Sequence, residues 1–285
     1  MREWASVILF LLLFQFNVQA AEPLKTKFVL DVADLMPEGV KVKGSSQGMA
    51  VWGRYAFMLH DGGQCVVIDL KRKRYLASYM LDKNTSHCNN ASFGAEYFSK
   101  ESKFPLLYVS ECRGGGACLV TDVGIEGSRL VQKIFYDGQD ITGPCDWLVD
   151  REKRLIYLYC TVDGLRTLKQ FRLPSLSDSD SHAEVHLKRE DMIMQISFEG
   201  VGIPQGSMTY RDKILLPSGI PSRTKCELHV IDVKRGRYAE CYSLDHIGLE
   251  PEGVAFWGGK RYLSFHTPGK PLHNLIYRFR LSRRR

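Results

Sequence analysis

Beyond its first twenty residues the chain has no long apolar run, and no later stretch could span a membrane. The opening segment sets Arg2 before an apolar run from Val7 to Phe16, followed by Val18-Gln19-Ala20 and then Ala21-Glu22. A basic start, a short apolar middle and an A-x-A-like end predict a secretory signal peptide over residues 1–20. The apolar run falls short of the ~20 residues a spanning helix needs. No Cys stands immediately after the cleavage point, which argues against a bacterial lipid anchor. The expected product is exported, secreted or periplasmic.

Recognised catalytic signatures are missing as well. There is no HExxH, no Gly-x-Ser-x-Gly elbow and no P-loop. Gly114-Gly115-Gly116 has no helix after it and reads as a hairpin turn. The formal charge is +7, with Arg278, Arg280, Arg283, Arg284 and Arg285 gathered at the end. No aromatic platform lies among these arginines, so they read as a solvated tail and no nucleic-acid partner is expected. Asn84-Thr85-Ser86 and Asn90-Ala91-Ser92 are glycosylation sequons if the host is eukaryotic.

What is present is a repeat. Polar turn, short strand, Gly-containing turn and second strand recur at Gln47-Gly48, Asn89-Asn90, Cys145-Asp146, Gln205-Gly206 and Glu252-Gly253. The anchors lie roughly 40–60 residues apart, about the length of a four-stranded propeller blade. The last repeat supplies only three strands, and an orphan strand at residues 27–32 can complete it, removing two exposed edges. The fold class predicted is therefore all-β, a five-bladed β-propeller closed by the N-terminal strand, with residues 21–285 as one domain. The polar Ser175–Ser181 stretch reads as a loop within blade three, because apolar alternation resumes after it.

All eight cysteines follow the signal peptide, and an even number in an exported chain predicts disulfides. Strand positions pair Cys145 with Cys160 and Cys226 with Cys241. The other four pair either as Cys88–Cys112 with Cys65–Cys118, or as Cys65–Cys88 with Cys112–Cys118.

In a propeller the loop leading into each innermost strand lines the channel mouth. This places Gln47, His87, Asn89, Asn90, Asp146, Gln205 and Glu252 at one end of the axis as ligand-binding candidates. The ends of the second strands, His60, Glu111 and His266, should share that face. The Gln-Gly and Glu-Gly pairs read equally as tight turns, with Gly serving a positive φ. His87 reads either as a ligand-binding imidazole or as a loop-holding hydrogen bond. Glu252, Asp146 and His87 are the catalytic candidates. No cofactor is expected, although a divalent metal held by Glu252, Asn89 and His87 is a possible variant.

On Gln47-Gly48, Gln205-Gly206 and His87-Cys88-Asn89-Asn90, the chain resembles the propellers of phage tail receptor-binding proteins and related teichoic-acid-type bacterial proteins. That resemblance implies a five-bladed propeller associated with cell-surface polymers. The segment Glu252-Gly253-Val254-Ala255-Phe256 also resembles lactonase and phytase-esterase propellers, which implies a metal with Glu252 as its acidic ligand. Amides outnumber acids at the anchors, and amides orient hydroxyls but do not act as general acids or bases. Carbohydrate binding by a monomer is therefore expected, with a propeller hydrolase using Glu252 with Asp146 or His87 as the alternative.

Overall fold

A computed structural model describes residues 21–42, 44–84, 87–113, 116–267 and 273–282. The predicted signal peptide at residues 1–20, the terminal Arg283–Arg285, and parts of the first sequon and of the triple-glycine turn lie outside the described residues. The chain begins with β1 (Glu22–Pro23) and β2 (Lys25–Asp31). Blade 1 follows as β3 (Ser46–Trp52), β4 (Tyr55–His60), β5 (Gln64–Asp69) and β6 (Arg74–Met80), and blade 2 as β7 (Cys88–Phe93), β8 (Leu107–Glu111), β9 (Cys118–Val123) and β10 (Ser128–Tyr136). The third repeat comprises β11 (Thr142–Asp150), β12 (Leu155–Val162), β13 (Leu165–Arg172), β14 (Glu184–Leu187) and β15 (Met194–Phe198). Blade 4 holds β16 (Met208–Tyr210), β17 (Lys213–Ser218), β18 (Glu227–Asp232) and β19 (Arg237–Ser243), and blade 5 holds β20 (Glu250–Trp257), β21 (Lys260–His266) and β22 (Asn274–Arg280).

Period-two side-chain alternation explains why these strands are apolar nearly throughout. In β4, Phe57 and Leu59 pack toward blade 2, while Ala56 and Met58 pack toward blade 5. In β5, Cys65 and Val67 take the first side, and Val66 and Ile68 the second. Five apolar clusters result, one at each junction between neighbouring blades. The junction of blades 5 and 1, where Leu30, Ala255 and Ile276 meet Met49, Met58 and Val66, closes the ring.

The N-terminal strand completes the last blade. β2 lies antiparallel to β22, with Lys25 opposite Arg280 and Asp31 opposite Leu275. The short β1 ahead of it adds to blade 4 instead, parallel to β19. Leu24 between them is buried against Leu228, Tyr242 and Phe279, so one segment straps blades 4 and 5 together.

Two expectations need correction. The strand after the Ser175–Ser181 loop does not belong to blade 3. β14 crosses to blade 2 and pairs in parallel with β10, covering its outer edge, and β15 supplies the fourth strand of blade 3. None of the expected disulfides is formed by the eight cysteines. Cys226 and Cys241 fail on register, because Cys241 stands opposite His229 while the Cys226 carbonyl accepts from Leu244 N. Cys65 and Cys118 fail on position, since they belong to the clusters on opposite faces of blade 2. Cys112 donates its N–H to the His87 carbonyl, and Cys118 stands opposite Ser110. Cys65 and Cys88 share one apolar cluster, and Cys145 and Cys160 share the next. Burial pushes the thiols of these four up to about 12, so each sits in its cluster as a small apolar side chain.

Candidate active site

Each innermost strand begins with a bulge. Pairing advances from Ser46–His60 to Met49–Met58, one residue more on β3 than on β4. The same excess separates Cys88–Glu111 from Ala91–Val109, Pro251–Phe265 from Gly253–Ser264, and Pro204–Ser218 from Met208–Leu215. In blade 3 the shift lies between Thr142 and Asp146. A bulge leaves residues out of the ladder and re-aims their side chains. The unladdered positions include Gln47, Asn89, Asn90, Gln205 and Glu252, with Asp146 at the edge of its bulge. Sequence reasoning found these residues but took their glycines for turns. Gly48, Gly206 and Gly253 have no positive φ. They are glycine because neighbouring inner strands approach too closely for a side chain: a Cβ on Gly206 would lie 2.5 Å from the Glu252 carbonyl, and one on Gly253 2.8 Å from Met49 N.

Hydrogen bonds and charge tie these starts together around the axis. Asn89 Nδ2 donates to Asp146 Oδ2 at 2.7 Å, linking blades 2 and 3. Gln205 Nε2 donates to Glu250 Oε1 at 3.0 Å, and Gly206 N donates to the Glu252 carbonyl at 2.9 Å, linking blades 4 and 5. Asn90 joins three blades: its Nδ2 donates to the Trp147 carbonyl and to Ser207 Oγ, and its Oδ1 accepts from Ala91 N and Ser207 N. Its amide capacity is filled within the protein. His87 Nδ1 pairs with Asp61 Oδ1 at 2.5 Å, bridging blades 2 and 1. The Glu252 carboxyl feels the charges of Glu250 and of Asp61, so blades 5 and 1 meet here as well.

The carboxyls are the chemically distinctive groups. Glu252 is 1% exposed, and its Oε2 has no hydrogen-bond partner. Burial, with the neighbouring charges of Glu250 and Asp61 adding to it, raises this carboxyl well above the usual range. Asp146 is also buried, and its Oδ1 lacks a partner. Burial pushes it up to about 7, against the hydrogen bonds of Asn89 and Ser110. The amides tell the opposite story: those of Asn89, Asn90 and Gln205 are engaged internally, and Gln47 Oε1 is left without a partner.

The second-strand ends share the face, as the pairings Ser46–His60, Cys88–Glu111 and Glu250–His266 require. Burial lowers His60 to about 4 and also lowers His266, keeping both rings neutral. Burial lowers His87 too, although Asp61 acts in the other direction. Glu250 and Arg113 are residues that sequence reasoning missed at this end. Glu250 is held above the usual carboxylate range by burial, and Arg113 lies close enough to influence both Glu250 and His87. The signal for Glu250 was its place two residues before Glu252 on the same strand. Among the described residues, sets of three converging His, Cys, Asp or Glu ligand atoms occur at Glu227, His229 and Cys241 and at Asp180, Glu184 and His186.

No protein-family model matches the sequence. No curated protein matches it either. Among solved structures the chain is similar to the glutaminyl cyclase of Myxococcus xanthus, with a TM-score of 0.52 and 11% identity, covering 91% of this chain and 100% of that one. It is also similar to the Cps50 (Swd1) β-propeller domain of Myceliophteria thermophila, at TM-score 0.41 and 9% identity over 81% of this chain and 83% of that one. The first of these likenesses agrees with the propeller fold.

Proposed function

We propose that the bulged end of the axis is the reaction centre of a proton-transfer enzyme, with Glu252 as general acid and base. The observation that carries this reading is the Glu252 carboxyl, buried, raised well above the usual carboxylate range and left with an unpartnered oxygen. A carboxyl raised in this direction, with an oxygen left free, is suited to holding a proton and handing it on. The internal engagement of Asn89, Asn90 and Gln205 removes most of the reason for preferring pure binding.

The substrate class we favour is a peptide with an N-terminal glutaminyl residue, which the name of the Myxococcus enzyme supports. In such a cyclisation the α-amine attacks the side-chain amide carbon, a C–N bond closes the lactam, and the bond to the amide nitrogen breaks. The amine gives up one proton and the departing ammonia gains one. A single carboxyl can carry that proton between the two nitrogens. Asp146, steadied by Asn89, and the free Gln47 Oε1 would orient the polar groups of the substrate. The expected setting is secreted or periplasmic, which the leader-like residues 1–20 support.

The test is ammonia release from N-terminal glutaminyl peptides by the full chain and by Glu252→Gln. Turnover by the wild type is expected, with a loss of about 10²-fold or more in the variant. Turnover that survives Glu252→Gln would remove the reaction centre. A wild type inert toward these peptides would remove the substrate class. Glycan or surface-polymer binding at the same end is a second reading, favoured by Gln47 Oε1, buried and without a partner. It predicts retention on a glycan array that Glu252→Gln leaves nearly unchanged.

A further inference from the structure

In the outer hairpin of blade 4, Glu227, His229 and Cys241 each offer a ligand atom, and these atoms all lie within 4.8 Å of one another. Strand register brings them together. His229 stands directly opposite Cys241 across β18 and β19, and Glu227 is two residues before His229 on the same face. Cys241 Sγ lies 3.7 Å from His229 Nδ1. Sulfur and nitrogen bound to one tetrahedral zinc, at about 2.3 and 2.0 Å from the ion, sit roughly 3.5 Å apart. The observed spacing is already close to that.

The surroundings of the imidazole fit the same use. Its Nε2 lies 2.7 Å from Ser218 Oγ, and Tyr238 Oη lies 2.6 Å from Nδ1. With Nε2–H donating to Ser218, the Nδ1 lone pair accepts from the Tyr238 hydroxyl beside Cys241, a hydrogen bond that an entering ion displaces, and Glu227 Oε2 lies 3.8 Å from Nε2. Metal-binding histidines are held this way, the far nitrogen fixed by a hydrogen bond so that the near one keeps its lone pair for the ion. Glu227 and Cys241 are partly exposed, so an ion can reach the site from solvent, whereas His229 is fully buried.

We propose that Glu227, His229 and Cys241 form a zinc site that staples β18 to β19, with the Tyr238 phenol or a water in the fourth position. Thiolate, imidazole and carboxylate together suit Zn²⁺ better than Mg²⁺ or Ca²⁺, which prefer oxygen alone. The other converging set, Asp180, Glu184 and His186, is more open to solvent, and its imidazole is engaged by Asp137.

Co²⁺ is the probe, titrated into full-length protein that has been reduced and stripped with a chelator. One equivalent should bind, with thiolate-to-cobalt charge-transfer absorption and intense tetrahedral visible bands, both displaced by Zn²⁺. Cys241→Ser should abolish the charge-transfer band, while Cys226→Ser, on the opposite face of the blade, should keep it. Ser218→Ala should weaken cobalt binding by roughly 10–100-fold. No charge-transfer band in the wild type, or the same band in Cys241→Ser, would overturn the assignment. Should Cys241→Ser fail to fold, Glu227→Gln serves in its place: at least about tenfold weaker binding supports the site, and unchanged binding overturns it.

Discussion

Asp146 shows how burial sets the chemistry of a single residue. Its carboxyl is pushed up to about 7, so the folded protein holds a proton there that the unfolded chain releases near its ordinary value of 3.8. A group raised in this direction stabilises the fold fully below the unfolded value, and that contribution is lost as pH climbs through the folded one. Asp146→Asn removes the titration while retaining an acceptor for Asn89. The stability of the variant relative to wild type should therefore rise between about pH 4 and pH 7, by an amount on the order of 4 kcal/mol, measured from urea midpoints across that range. His60, lowered to about 4, acts with the opposite sign. It titrates in both proteins and cancels from the difference. A flat difference would mean that Asp146 is ionised throughout. Asn90 stands in contrast: it looked like a ligand residue beside His87, yet three of its amide's hydrogen bonds hold blades 2, 3 and 4 together and the fourth is taken from Ala91 N. Its sequence neighbours carry no sign of Trp147 and Ser207, which reach it only through the ring.

Among the elements, the N-terminal strap does the most with the fewest residues. β1 and β2 occupy the edges of two different sheets, and Leu24 between them is almost completely buried. Leu24→Ala should lower the stability of the whole protein by about 2–5 kcal/mol, read from denaturant midpoints, with the two blades unfolding together. A loss confined to blade 5 would show that the strap does not couple them. The strand that completes blade 5 was legible because residues 27–32 alternate like a strand and have no hairpin partner. The crossing of β14 to blade 2 was not. Glu184–Leu187 is too short to declare a sheet, and its choice is dictated by the open edge of β10, which is remote in sequence. The bulges were legible only as Gly after a polar residue. Their purpose, the near-contact of Gly206 with Glu252 and of Gly253 with Met49, needs the neighbouring blade in view.

On the scale of the whole molecule, five apolar junctions hold five sheets, and the bulged starts of their inner strands share one end of the axis. The repeat made that ring readable, because each anchor carries its own polar residue and strand pair. The cysteines misled because an even count says nothing about which face of a strand a thiol occupies; Cys65 of blade 1 and Cys118 of blade 2 belong to apolar clusters on opposite sides of blade 2. The balance of chemistry at the axis was hidden for a related reason. Amides and acids can be counted in a sequence, but which of them remain unpaired depends on contacts between blades. Glu252 is left with a free oxygen, and the account rests on its carboxyl carrying a proton at neutral pH. Infrared difference spectroscopy between wild type and Glu252→Gln reads that proton directly. A protonated-carboxyl C=O band at about pH 7, present in the wild type and missing from the variant, is the predicted result. A wild type showing only the carboxylate bands of an ionised Glu252 would contradict it.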